Sequence, residues 1–472
     1  MTRRQILLSL LSTTLVLGSL ALLAGPATPA RARTPEARLS EPARWLREYL
    51  RIDTTNPPGN EGHAAAFLAN ILHREGIDTR LLVSPKGRVS LYARLAASVP
   101  ADGSAKKPGA VVLLHHLDVV PPGEGWTVDP FAGLIRNGTL YGRGALDIKS
   151  LGIAQLEAFI RLKRQRVPLR RDVIYLAVAD EERGGLQGTG WILDRHPELF
   201  TGAAAVLGEG GANKQAAGRP LWAGIEVAQK RPLWLRATTT GRGGHGSGLN
   251  PASANHALIE GLARVIALPM EYHVTDAVRL YLGTLGPMHQ DRYTEIFTHL
   301  DEHITPQGPK EPMMVGMANL FLDTIQVTVL SAGEKINVIP PDARAELDVR
   351  MLPDTDGDAL LQRIEDAAGK RVHFEVLLTS PPAPPSPVDS PIYQAIASVL
   401  QKTAPVVPAF IPGFTDSRFF RERGIPAYGV SPFFLPPQSY LGIHGPDEAI
   451  PLKELDRGVE RMVSIVHACA TR

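Results

Sequence analysis

The sequence predicts an α/β protein on a mostly parallel sheet, with a smaller α+β unit inserted into it. Three observations carry this. AVVLLHHLDVV and DVIYLAVADEE are nearly unbroken apolar runs on either side of a helical segment, the pattern of strands buried on both faces. From Pro232 onward the elements run strand, helix, strand, strand, helix, strand, the ferredoxin-like order. SPPAPPSPVDSP, Ser380 to Pro391, is a stiff extended connector, and it leads the chain back to the first unit.

Taken in order, the chain opens with Arg3 and Arg4 before an uncharged apolar run, Ile6 to Leu23, and then Ala30-Arg31-Ala32. This is the layout of an export signal with an A-x-A cleavage site. TRRQILL resembles a twin-arginine signal, so residues 1–32 predict a periplasmic or secreted protein. Left uncleaved, the run would be a membrane anchor. Helices follow in ARWLREYLRI and HAAAFLANILHREG, then a strand in DTRLLVS. Residues 33–231 and 381–472 together form the larger unit, closed by the helix Leu452 to Ala470. Residues 232–380 form the inserted one: PLWLRATTTG, TIQVTVLSAG, ARAELDVRML and VHFEVLLTS are its strands. Pro251 to Ile266 and GDALLQRIEDAAG are its helices. A Met- and Pro-containing stretch, Leu268 to Ala318, interrupts it. Its Met313, Met314, Met317, Leu320 and Phe321 either line an apolar pocket or pack the core of the inserted unit.

At 472 residues the chain exceeds one ordinary core. A formal net charge of +2 gives no reason to expect nucleic acid or an anionic membrane as partner. Residues 1–32 hold three of the 50 basic residues and none of the 48 acidic ones, so the remainder is slightly acidic. The single cysteine, Cys469, excludes an internal disulfide and cysteine-rich zinc sites. Any metal must sit on His, Asp and Glu.

Candidate ligands occur where predicted strands end. His116 and Asp118 are two apart and share a strand face, so Asp118 can orient the imidazole of His116. His115 faces the other way and reads as structural. Asp147 lies in YGRGALDIKS, where Gly142 and Gly144 permit tight turns. Asp180-Glu181-Glu182 ends an apolar strand at the edge where open α/β sheets bind ligands. One carboxylate there can hold a metal while the other takes a proton from water. Glu209 in VLGEGG and His444 in LGIHGPDE complete the set. Each alone also reads as a turn or surface residue.

Together the motifs HLDVVP, YGRGALDIKS, ADEERGGLQGT, GEGG, TTTGRGGHGS, GEKINVIPPDA, GFTDSR and HGPDE resemble a known family. It is that of the dinuclear zinc peptidases and amidohydrolases, which includes aminoacylase, carboxypeptidase G, carboxypeptidase S and succinyl-diaminopimelate desuccinylase. The export signal and long insertion resemble the carboxypeptidase S-like branch most. The resemblance implies a zinc-peptidase catalytic domain with an inserted lid and dimerisation domain. It implies two Zn²⁺ per subunit, with Co²⁺ or Mn²⁺ as substitutes: one on His116, Asp147 and Glu209, the other on Asp147, Glu182 and His444. Glu181 is then the general base and Asp118 the residue holding His116. His245 stabilises the oxyanion, from the partner subunit in dimeric members. Arg418 pairs with the substrate carboxylate, a structural ion pair being its alternative, and Asn337 contacts substrate. One departure is Gly208, where many members carry an aspartate before the ligand glutamate.

The function expected is cleavage of an amide next to a free α-carboxylate in short peptides, carboxypeptidase or dipeptidase fashion. Two alternatives stand beside it: aminoacylase-type hydrolysis of N-acyl amino acids, and an inactive peptide-binding protein. The partners expected are a small peptide or N-acyl amino acid and a second copy of the chain through the lid.

Overall fold

Strands without polar alternation need cover on both faces, and the sheet is built accordingly. The computed structural model describes residues 39–99, 109–211, 213–289 and 291–471; residues 1–32, expected to be an export signal, lie outside the described residues. The main sheet holds β1 (Thr79–Val83), β2 (Val89–Leu95), β3 (Val111–His116), β4 (Val173–Val178), β5 (Ala205–Gly208), β6 (Arg219–Gln229), β7 (Val406–Ile411) and β8 (Ala427–Val430). Their order is β1-β2-β4-β3-β5-β8-β6-β7, with a short strand, Lys214–Ala216, beside β6. β4, β3, β5 and β8 run parallel, as do β6 and β7. β1 and β2 are antiparallel, and so is the β8–β6 junction. Every residue of β3 and β4 is buried. The helix Lys149–Arg164 packs on β3 and β4, and the helix Leu452–Thr471 packs on that helix.

The inserted unit is a four-stranded antiparallel sheet of Arg231–Thr240, Thr324–Ser331, Asp342–Met351 and His373–Thr379. In chain order its strands lie 2-3-1-4, the ferredoxin-like arrangement. Its helices Ala254–Ile266 and Gly357–Ala368 are capped by Ser253 and Asp356, whose side chains accept from His256 N and Ala359 N. These caps satisfy backbone donors the helices leave free. The first helix therefore starts at Ala254, and Pro251 sits in the preceding turn rather than within it. Leu235, Leu258, Leu262, Leu347, Val349 and Ile364 form its core.

The stretch 268–321 departs from both readings of its apolar residues. Met314, Leu320 and Phe321 join Val278, Leu282 and Phe297 in a cluster with Ala228, Val407 and Phe410 of β6 and β7. They therefore pack against the edge of the main sheet. Met317 lies against the same cluster, and Met313 is exposed. Among the described residues no helix is long and apolar enough to cross a membrane.

Candidate metal centre

Three neighbouring parallel strands finish at one edge of the main sheet, the edge where open α/β sheets gather ligands. β3 ends on His116. β4 is in register with it, His116 opposite Val178, and leads into Asp180-Glu181-Glu182. β5, on the other side of β3, leads into Glu209. Asp180 has φ +72°, a left-handed conformation a non-glycine residue adopts only when held. Arg88 and Gln187 N hold its carboxylate. Two loops bring in the remaining groups, Asp147 and His444.

Nε2 of His116 lies 3.2 Å from Asp147 Oδ1 and 3.7 Å from Glu209 Oε2. Nε2 of His444 lies 3.1 Å from Asp147 Oδ2 and 3.5 Å from Glu182 Oε2. Asp147 thus presents one oxygen to each histidine, as a bridging carboxylate must. Ligand atoms of His116, Glu181 and Glu209 lie within 4.8 Å of one another, as do those of His116, Asp147 and Glu182. The fold therefore assembles all five expected ligands and Glu181 in one cluster.

Asp118 lies against His116, as expected, and holds a second element as well. Nδ1 of His116 lies 2.8 Å from the backbone oxygen of Asp118 and 3.8 Å from its carboxylate. The carboxylate accepts from Asn56 Nδ2 and from the backbone N–H groups of Glu181 and Glu182. The main chain fixes the imidazole, and the side chain fixes the turn carrying the two glutamates.

Glu448 is a functional residue the sequence reading missed. Fully buried, it accepts from Gly144 N, Leu146 N, Asp147 N and Arg143 Nη1 at 2.6 to 3.0 Å. It thereby ties the Asp147 loop to the His444 loop. Asp447 anchors the same loop to Thr127. The loop closes tightly at Gly144, φ +88°, where a Cβ would meet Val119 at 2.8 Å. The available signal was an acid four residues after His444, but spacing does not reveal burial. His115 is structural as read: buried, beside Gln155 and Tyr175, its imidazole pushed down to about 3 by burial.

With no cation between them, these groups perturb one another strongly. Burial alone would lower the imidazole of His116, but the carboxylates of Glu209 and Asp147 outweigh it and hold it well above its ordinary value. Hydrogen bonds to Asp147 and Glu182 carry His444 up to about 10. Burial would raise Asp147, yet the two histidines hold it low. Burial and the charge of Glu209 lift Glu181 well above the carboxylate range. A base that takes a proton from water near neutral pH and returns it needs that shift.

The donor set fits two divalent cations: two imidazoles, a carboxylate facing both, and a carboxylate for each side. Glu182 Oε1 is moreover buried with no hydrogen-bond partner among the described residues, an unsatisfied acceptor a cation would satisfy.

Comparison with known proteins agrees with this geometry. Residues 112–468 match the peptidase family M20/M25/M40. The chain belongs to that family. It is 29% identical over 434 residues to aminoacylase-1B of Rattus norvegicus, covering 90% of this chain and 94% of that protein. It is also 29% identical over 384 residues to the human N-fatty-acyl-amino acid synthase/hydrolase PM20D1, covering 76% and 74%. Among solved structures, the M20 metallo-carboxypeptidase Sso-CP2 of Sulfolobus solfataricus superposes with a TM-score of 0.70. It is 20% identical, over 92% of this chain and 100% of that one. Human carnosine dipeptidase 1 follows at 0.67 and 16%, over 91% and 97%. As an M20 protein the chain is a metallohydrolase.

The substrate-side residues lie elsewhere. His245 is exposed, on a two-residue strand opposite Val338, with Nδ1 2.8 Å from Ser247 Oγ. Asn337 is its neighbour, its carbonyl accepting from Gly246 N. The pair is thus brought together on the inserted unit and makes no recorded contact with the metal ligands among the described residues.

Arg418, expected to pair with the substrate carboxylate, lies in the turn before Phe419, beside Asp416. It is 4% exposed. Its guanidinium donates to Ser380 Oγ, Gly184 O and Thr415 O and lies over the rings of Phe419 and Phe414. Stripping a buried cation of its partners costs several kcal/mol, about 3–5 by analogy with broken buried pairs. Arg418 joins the connector at Ser380 to the turn after Glu182, close to the structural alternative, with Asp416 at 3.6 Å.

Gly208, where the aspartate of many members is absent, has Ser417 Oγ 3.0 Å from where a Cβ would stand. Asp416, buried and hydrogen-bonded to Thr189, lines the same small cavity as His116, Glu181 and Glu209. A carboxylate from another loop therefore stands beside the ligand.

Proposed function

We propose that the protein uses two zinc ions to hydrolyse the amide bond of N-acyl α-amino acids. The observation that carries the reading is the bridging position of Asp147 between His116 and His444. The ions would be held by His116, Asp147 and Glu209 on one side and Asp147, Glu182 and His444 on the other. When bound they would supply positive charge that acidifies water and polarises the carbonyl. Glu181 takes the proton of the attacking water and passes it to the leaving amine. Asp118 keeps Glu181 in place through its backbone N–H.

The sequence reading favoured short peptides. The aminoacylase-1 proteins, similar over 90% of the chain, move the preference to N-acyl amino acids. Short peptides remain as a second reading, supported by the charged lining of the cleft beside Glu182, with Lys86, Arg183, Glu346 and Asp348. That lining also disfavours a long fatty-acyl chain.

His245 would complete the site from a second copy of the chain. Its exposure, with the exposed Leu249, Ile336 and Val338 nearby in sequence and on the paired strand, supports pairing through the inserted unit. Residues 1–32 would direct export.

A mass-spectrometric cleavage screen of zinc-loaded protein tests the reading. Release of free amino acid from N-acetyl amino acids faster than from dipeptides is expected. Faster dipeptide cleavage would restore the peptidase reading, and no cleavage of either would overturn both. Restored activity on mixing His245→Ala with Glu181→Gln protein would support the dimer. N-terminal sequencing of exported protein would locate the cleavage.

A further inference from the structure

The turn that carries Glu181 and Glu182 has little regular structure to hold it. Asp180 at φ +72°, Gly184 at +93° and Gly185 at +66° bracket it. In that left-handed region a non-glycine residue stays only when its surroundings hold it. The backbone N–H groups of Glu181 and Glu182 find their acceptor outside the turn, on the carboxylate of Asp118. That carboxylate stands between two elements. Oδ1 lies 3.8 Å from Nδ1 of His116 and accepts from Glu181 N at 3.1 Å, while Oδ2 accepts from Glu182 N at 3.2 Å. Its shortest contact comes from a third element: Asn56 Nδ2 donates to Oδ2 at 2.7 Å.

The main chain delivers Asn56 to this contact. Thr54 Oγ1 donates to Leu117 O, Thr55 pairs with Val119, and Asn56 N donates to Val119 O, so the segment runs alongside the residues that follow β3. The Asn56 side chain is 3% exposed, and its Oδ1 has no hydrogen-bond partner among the described residues. A buried amide with one end unmet is unfavourable for folding, so its use lies at the donor end. Both oxygens of Asp118 accept, which fixes the Nδ2 end toward them. We propose that Asn56 is a positioning residue for the general base. By fixing the plane of the Asp118 carboxylate it keeps both N–H groups of the turn engaged, and so sets where Glu181 points. Without it the carboxylate can rotate toward His116, and the turn loses a fixed acceptor. A reacting group displaced by a fraction of an ångström loses much of its effect on rate.

The proposal rests on the amide-hydrolase reading, so one arm of its test is kinetic and the other needs no turnover. Asn56→Ala and Asn56→Leu are compared with the unmodified enzyme at saturating zinc; leucine keeps the volume and removes the amide. In both, kcat should fall about 10–100-fold, the range for lost partners of site residues, with KM and zinc content unchanged. Hydrogen exchange followed by mass spectrometry should show the Glu181 and Glu182 amides exchanging about tenfold faster, with protection kept elsewhere. Unchanged kcat would overturn the proposal. A raised KM at unchanged kcat would do so too, making Asn56, which also lines the cleft beside Glu182, a substrate contact. So would activity lost only in step with zinc, which would assign Asn56 to the ligand Glu182, or faster exchange throughout the chain, which would mark a structural role. If the unmodified enzyme cleaves nothing, the hydrolase reading fails by itself. Exchange then decides alone: faster exchange confined to the turn supports the Asn56 brace, and unchanged protection there overturns it.

Discussion

Glu181→Gln is expected to lower kcat by about 10³-fold, within the range for loss of a general base, and to leave KM and bound zinc unchanged. Gln has the same shape and keeps the backbone N–H that Asp118 holds, so the turn carrying Glu182 stays in place. What it lacks is a site for the proton. Burial and the neighbouring charge of Glu209 hold the Glu181 carboxyl high, so it can carry that proton at neutral pH. Steady-state kinetics with elemental analysis decides the matter. Full activity would remove Glu181 from the mechanism. Loss of zinc along with activity would make it a ligand, which its closeness to His116 and Glu209 allows.

The second large effect is expected at Glu448. Glu448→Ala leaves three backbone N–H groups and the Arg143 guanidinium without their acceptor in a fully buried site. Removing one partner of such a buried pair costs about 3–5 kcal/mol. The loop that presents Asp147 then loosens, and zinc affinity should fall about 10–100-fold, as when outer partners of metal ligands are lost. Glu448→Gln retains one acceptor oxygen and should lose less of both. Urea unfolding of metal-free protein and chelator competition for zinc measure the two effects. Lower stability with unchanged zinc affinity would reduce Glu448 to a scaffold residue.

The parts of the fold that were readable are those where one physical requirement dominates. β3 and β4 are buried on both faces, so their apolar runs admit no other reading. The inserted unit shows its ferredoxin-like order because its strands alternate and its helices are amphipathic. β7 was missed because Pro408 interrupts VVPAFI, and a proline is tolerated there only because β7 is the edge strand. β2, β6 and β8 were also missed: they lie between loops, and their pairing is set by distant neighbours. The ligands were legible because metal chemistry restricts residue type. The further contacts of Asp118 and Arg418 were not, since they turn on direction: Asp118 also accepts from the backbone of Glu181 and Glu182, and Arg418 donates to Ser380 and Gly184. Glu448 needed burial to be recognised.

The account rests on a two-ion centre bridged by Asp147, and a calorimetric zinc titration of metal-stripped protein tests it most directly. In the metal-free protein His444 is held up to about 10 and His116 well above its ordinary value. Both are therefore protonated near neutral pH and must release protons to become ligands. Zinc affinity should accordingly rise with pH until those imidazoles are neutral. The predicted result is two zinc ions per chain, with heats that depend on the ionisation enthalpy of the buffer. One ion per chain, or heats indifferent to the buffer, would contradict the bridged centre.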